Sequence, residues 1–296
     1  MVEQVGSQGE STRRYFAGVV MPEFNPPDKR GKPWSTGSSI ALGIIILYFL
    51  IAALVFTGVI AQQWDNASSD TWAMPNRDHW LGTNRIGQDI LDRALYGVMT
   101  AMTIGCSVAF FSVFLGGIVG GFAAYYRNGI LDHLVQFVMN LIDAIPFYLL
   151  VILLANFLEC IEYSSILAMV ICFWTTSARV IRSEIIRMNE SEFIKITRLL
   201  RLSVFKRVVI HMLPNLKYLL LVQFVIVFVV AIKTEVALSF LGLGTVSGVS
   251  WGVMVAESIT DIGTGHPYNF IVATTALFFL VLSFNILLDK NLARMH

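Results

Sequence analysis

The strongest constraint on this chain is a run of twenty-two residues, Ile40 to Ala61, without a single charge. A helix rises about 1.5 Å per residue, so about 20 apolar residues cross the roughly 30 Å hydrocarbon core of a bilayer. Five further apolar blocks follow: Val98–Tyr126, Leu134–Asn156, Ser164–Ala178, Leu216–Leu241 and Tyr268–Leu288. The first block is longer than the apolar core of a secretion signal and follows 39 residues, so it reads as a span rather than a removable leader. Composition agrees. Of 296 residues 56% are hydrophobic and 14% charged, with a mean hydropathy of +0.69, whereas soluble domains carry about 25% charged residues. These features predict an all-α membrane protein with six transmembrane helices. The formal net charge of +1 offers no broad basic face for nucleic acid. Cys106, Cys160 and Cys172 all lie in or beside apolar stretches, at a spacing that fits neither a disulfide framework nor a zinc motif, and the five histidines are scattered.

Basic residues set the expected orientation, because cytoplasmic loops are enriched in Lys and Arg. With an inside N-terminus, the inner segments hold Arg13, Arg14, Lys29, Arg30 and Lys32, then Arg127, then nine between Arg179 and Lys217, then Lys290 and Arg294. The outer segments hold only Arg77, Arg85 and Arg93. Both termini are therefore expected in the cytoplasm. The expected organisation is a cytoplasmic tail (1–39), a first span (40–61), an external loop (62–97), a core of five spans (98–289) and a short tail (290–296). The first tail, with four prolines and several charges, reads as a loose or interfacial segment. No internal repeat is visible, so the inverted-repeat plan of many secondary transporters finds no support.

One cytoplasmic segment, 184–215 within 179–215, exceeds a short turn. Phe193, Ile196 and Leu200, then Val204 and Val208, recur in helical steps with Lys195, Arg198, Arg201 and Lys206 between them. Two short amphipathic helices stopped by Pro214 fit this spacing. Such a segment can lie on anionic headgroups or dock on a cytoplasmic partner, and the pattern leaves both open.

In the stretch Glu192 to Asn215, Glu192, Phe193, Ile194, Arg198, Leu200, Ser203, His211, Leu213, Pro214 and Asn215 match in register the cytoplasmic loop of binding-protein-dependent ABC importer permeases. Further matches follow the chain in order. His79-Trp80-Leu81-Gly82-Thr83-Asn84, Gly87-Gln88-Asp89-Ile90-Leu91 and Tyr96-Gly97 resemble the signature before the second span of the C-type subunits of dipeptide, oligopeptide and nickel importers. Asp143-Ala144-Ile145-Pro146 resembles their D-x-x-P. Glu235, Leu238 to Gly244, Trp251-Gly252, Met254, Phe284-Asn285 and Asp289 complete the series. The chain departs from the pattern at Lys195-Ile196-Thr197, at Gln88 and at Ser247-Gly248-Val249. It also carries Arg201 where the family has a glycine, and a residue with a Cβ holds such a turn only with strain.

The resemblance implies an ABC type I importer permease fold in a bacterial inner membrane. It implies a B-type permease partner, two ABC ATPase subunits and an external solute-binding protein, besides membrane lipid. Peptides are the implied cargo, with nickel chelates or antimicrobial peptides taken up by the same permease type as alternatives; an ATP-independent secondary transporter is the alternative of another class. The chain contains no G-x-x-x-x-G-K-[ST] phosphate loop, so it is not expected to be an enzyme or to hold a cofactor. ATP and Mg would sit on the partner ATPases. Glu192, Phe193, Ile196, Arg198, Leu200, Arg201, His211 and Pro214 would form the ATPase-coupling loop. External segments 62–97 and 242–267 would receive the binding protein, with Arg77, Arg85 and Arg93 as contacts.

Apart from Lys217, at the loop-side start of the fifth block, three charged residues fall within apolar blocks. Such groups are costly in lipid and usually face the protein interior or a water-filled path. Lys233 and Glu235 lie two apart, roughly 200° around a helix, so they do not pair with each other. Asp143 precedes Pro146, which interrupts helical hydrogen bonding. Each is a candidate for lining a translocation path or, equally open here, for tying helices together. Gly116/Gly120 and Gly117/Gly121 repeat at four-residue spacing, which suits close helix packing.

Overall fold

The computed structural model describes residues 15–16, 19–20, 36–68, 70–158, 163–190, 213–244 and 248–292. Among the described residues, the N-terminal unit (1–35) holds the short antiparallel pair β1 (Tyr15–Phe16) and β2 (Val19–Val20). The described residues beyond it are mainly helical: α1 (Thr36–Phe56), α2 (Ile90–Tyr125), α3 (Ile130–Asp143), α4 (Phe147–Phe157), α5 (Ser164–Glu190), α6 (Leu213–Phe240), α7 (Trp251–Gly263) and α8 (Tyr268–Leu292). Five of these, α1, α2, α5, α6 and α8, are long and apolar enough to cross a membrane. The α3–α4 pair makes a sixth span if counted as one.

That pair refines the expectation of a single span over Leu134–Asn156. The two helices meet at 94°, far more than a gentle kink. Pro146 has no N–H to donate, and its ring disfavours helical backbone at Ile145. So α3 ends at Asp143, and Pro146, with non-helical backbone, occupies the N-cap position of α4. At 1.5 Å per residue the two pieces are about 21 Å and about 16 Å long, each too short to cross alone.

Other helices overrun their apolar blocks because local signals outweigh hydropathy at their ends. α2 begins at Ile90, not Val98, because Asp89 is an N-cap: its Oδ1 accepts from the backbone N–H groups of Leu91 (2.8 Å) and Asp92 (3.1 Å). α5 continues from Ala178 to Glu190, where charged residues alternate with buried or half-buried Ile181, Ile185 and Ile186. α6 starts at Leu213 with Pro214 in its first turn, where the missing N–H costs nothing. Segment 242–267, expected to be a loop, contains α7, capped by Ser250 accepting from Val253 N–H (3.3 Å).

α2 is the axis of the bundle and packs most extensively on α5, then α6 and α1. Its two glycine stripes differ. A Cβ on Gly116 would sit 2.6 Å from Ser177 Cβ, and one on Gly120 2.5 Å from the Ala178 carbonyl oxygen. Gly117 and Gly121 meet only Ile181 and Ile185 at 3.8 Å, an ordinary contact. Gly116 and Gly120 therefore let two backbones touch, as small residues do between membrane helices. Three turns earlier along α2, Gly105 admits Phe228 of α6, which is fully buried and packs on Phe284 with ring centroids 4.4 Å apart. Tyr48 of α1 donates to the Ala276 carbonyl of α8 (2.8 Å).

Candidate functional site

Most of the expected coupling loop (Glu192, Phe193, Ile196, Arg198, Leu200, Arg201 and His211) lies outside the described residues. Pro214 is placed by its backbone alone, in the first turn of α6. What the structure does describe is the pair of helices that frames this loop, α5 up to Glu190 and α6 from Leu213.

The three intramembrane candidates have separate environments. Asp143 ends α3, and both its oxygens are engaged by α5. Thr175 Oγ1 donates to Oδ1 (3.1 Å), and Arg179 Nη2 donates to Oδ2. A carboxylate is unfavourable at a helix C-terminus, and Arg179 supplies the compensating cation. Glu235 is 2% exposed and accepts from Ser239 Oγ. Ser250 Oγ, the α7 cap, donates in turn to Ser239 Oγ (3.2 Å). This chain joins the end of α6 to the start of α7. Lys233 projects from a different face of the same helix and is exposed. It borders a groove of about 340 Å³ whose other walls are the α8 residues Thr274, Leu277, Phe278, Val281, Leu282 and Asn285. The three do not form one site.

A dense polar lattice closes the end of the bundle that carries segment 57–89 and α7. Arg93 is 3% exposed; its Nη2 donates to Glu257 of α7 (2.8 Å) and its Nη1 to Gln88. Gln88 also donates to Asp65 Oδ1 (3.2 Å) and accepts from Asn84 (3.0 Å). Asp261 of α7, 1% exposed, accepts from Trp72 Nε1 (3.1 Å) and Asn269 Nδ2 (3.3 Å). His79 Nδ1 lies 2.8 Å from Asp89 Oδ2. Gly87 turns this segment with φ +79, and a Cβ there would be 2.2 Å from the Ser68 carbonyl oxygen. Arg93, expected as a contact for an external protein, is thus internal, while Arg77 and Arg85 are exposed.

The motifs before the second span and after the fifth interlock here. Trp251, 1% exposed, lies on Gly97, where a Cβ would be 2.6 Å from its ring. Its Nε1 donates to the Ala94 carbonyl (3.1 Å). Gly252 in turn brings α7 against the Val236 backbone of α6. The motif residues are thereby a structural joint between α2, α6 and α7.

Residues 116–295 match the family described as binding-protein-dependent transport system inner membrane component. The chain belongs to that family. It is the permease subunit of an ABC importer, an integral protein of the inner membrane, and the family works with binding proteins and ATPase subunits. A Brucella suis protein provisionally named a peptide transport system permease is 34% identical over 222 residues, 74% of each chain. The dipeptide permease DppC of Bacillus subtilis is 29% identical over 250 residues, 83% of this chain and 78% of the relative. The oligopeptide permease OppC of the same organism is 27% identical over 252 residues, 84% and 82%.

Sequence reasoning missed one site that the structure makes prominent. Asp132, fully buried in the first turn of α3, receives two hydrogen bonds from Arg182 of α5. Asp132 sits beside a loop and Arg182 counts among the loop charges, so neither stood out as intramembrane.

Proposed function

We propose that this chain forms half of the translocation pathway for peptides handed over by an external solute-binding protein. The observation that carries the cargo class is its match, over more than four fifths of its length, to permeases named for dipeptide and oligopeptide transport. A homologous B-type permease would supply the other half, and two ATPase chains would bind ATP and Mg. The distribution of Lys and Arg favours cytoplasmic termini. The lattice end then faces outward, with Arg77 and Arg85 open to the binding protein. Loop 191–212 faces the ATPases as a helix-in-groove contact anchored by Phe193, Ile196 and Leu200.

On this reading ATP-driven closure of the ATPases displaces the loop and rocks the spans between inward- and outward-open states. Lys233, a cation on an exposed face at membrane depth, is the best-placed of the three ionisable residues to meet cargo. Asp143 and Glu235 already have partners and serve as ties.

The test is uptake of radiolabelled trialanine by cells with and without the gene. Loss of uptake on deletion, and recovery with the intact gene but not with Leu200→Asp/Arg201→Asp, is expected. Uptake unchanged by deletion would contradict the cargo reading, and normal uptake by the double variant would contradict the loop assignment.

A further inference from the structure

α3 is held at both ends by one face of one helix. At its start Asp132, fully buried, binds Arg182 in a two-pronged geometry, Nε to Oδ1 at 2.7 Å and Nη2 to Oδ2 at 2.8 Å. Oδ2 also accepts from the Asn128 N–H (3.0 Å). At its end Asp143 binds Thr175 and Arg179. Thr175, Arg179 and Arg182 follow one another at helical spacing along α5, so they share a face. The two anchor points are eleven residues apart on α3, about 16 Å, but three (Arg179) to seven (Thr175) from Arg182 on α5, about 4.5–10.5 Å. α3 therefore runs obliquely across α5 rather than alongside it. Directly beyond the second anchor comes the 94° elbow to α4, which α5 also holds: the Phe147 and Phe173 rings are 5.0 Å apart.

The same α5 leads without a break to Glu190, the last described residue before the loop assigned to the ATPases. Arg127, just past α2, adds an ion pair to Glu190. Forked Arg–carboxylate pairs fix direction as well as distance, and a bar gripped at two points cannot pivot about either.

We propose that the Asp132–Arg182 and Asp143–Arg179 pairs are the relay inside this chain that makes the α3–α4 elbow follow α5 when the ATPases move the loop. They are positioning residues, and the proposal rests on the permease reading above. Movement at the end of α5 then reaches α4 as a rigid-body displacement. Release of Asp143 frees the elbow while leaving α5 seated on α2 through Gly116 and Gly120.

The experiment uses the whole complex, purified with its ATPase chains and reconstituted in nanodiscs, with the three native cysteines replaced by serine. Nitroxide labels at Leu153→Cys (α4) and Ile271→Cys (α8) report the elbow. Labels at Ser183→Cys (α5) and Ile271→Cys report the lever. Trapping with ATP and vanadate is expected to shift both distances in the otherwise unaltered complex. In Arg179→Asp the lever distance still shifts and the elbow shift is lost. The exchange Asp143→Arg/Arg179→Asp, at a half-exposed pair, restores it, and Arg179→Lys keeps most of it. A variant that merely misfolds would lose both shifts and would not be rescued by the exchange. An elbow shift unaffected by Arg179→Asp, or no recovery on exchange, overturns the relay. Absence of ATPase chains from the preparation overturns the permease reading and the relay with it.

Discussion

α5 and α8 are both long enough to cross a bilayer, yet 61% of the apolar window of α5 is buried within the chain against 22% for α8. At the extremes the order runs opposite to hydropathy. α1 and α8, the most apolar of the five, are the least buried, and α5, the least apolar, is the most buried. In water the reverse holds, because apolar surface is driven inward. In lipid that drive is absent, and close packing and polar pairing decide what goes inside. Thus α5 presents Ser177, Ala178, Thr175 and Arg182 to its neighbours, while α8 shows Phe270, Ile271, Phe278 and Phe279 on its exterior. On α5, then, small and polar residues help specify what faces inward, beside apolar ones such as Met169 and Ile181, while the outward face of α8 is bulky and apolar.

The contrast can be broken most severely at the buried ion pair. Asp132→Asn leaves the Arg182 guanidinium without its counter-charge. Removal of one partner of a buried pair typically costs about 3–5 kcal/mol, so a large drop in thermal stability of the detergent-purified complex is expected. Arg179→Gln, at a half-exposed pair, should cost about 1 kcal/mol or less. Equal effects at the two sites would deny the distinction between interior and rim.

The glycine stripes give the next effect in size. Gly120→Val forces side-chain atoms into the Ala178 backbone of α5 and should destabilise by about 1–3 kcal/mol or more. Gly121→Val, which meets only the flexible end of Ile185, should stay within about 0.5 kcal/mol. Unfolding followed by steric trapping in bicelles would rank them. A Gly121 variant as damaged as the Gly120 variant would mean that α2 and α5 pack in another register.

The lattice end sharpens the comparison from the side of water. Trp72→Phe removes the indole N–H that Asp261 accepts but keeps most of the ring that stacks on His266 at 5.6 Å. A loss of about 1–2 kcal/mol is expected, with faster hydrogen exchange confined to segment 70–89 and α7. On the exposed face of α8 Phe279→Leu should have the smallest effect of all, within about 0.5 kcal/mol.

Much of this was legible in the sequence, for identifiable reasons. Long apolar blocks can only be helices in lipid, so α1, α2, α5, α6 and α8 followed from composition along the chain. Pro146 announced the break after Asp143, and the four-residue glycine spacing announced close packing on α2. The size of the elbow was not legible, because proline removes a constraint without choosing the new angle. The start of α2 escapes hydropathy because the deciding signal is one cap, Asp89, in a polar stretch. The last turns of α5 beyond Ala178 carry charges that break an apolar run, although Ile181, Ile185 and Ile186 keep them amphipathic. α7 resembles a loop in sequence because it is short and glycine-flanked. The Asp132–Arg182 pair could not be found at all, since fifty residues separate its members and only the fold brings them together. Arg93 looked like an external contact for the same reason. Its partner Glu257 is 164 residues away.

An importer permease of this kind works only in company. Affinity purification in mild detergent, followed by mass spectrometry of what accompanies it, tests that directly. Recovery of a second permease of the same family together with P-loop ATPase chains is the predicted result. Recovery of the chain alone, from membranes in which it is folded and abundant, would contradict it.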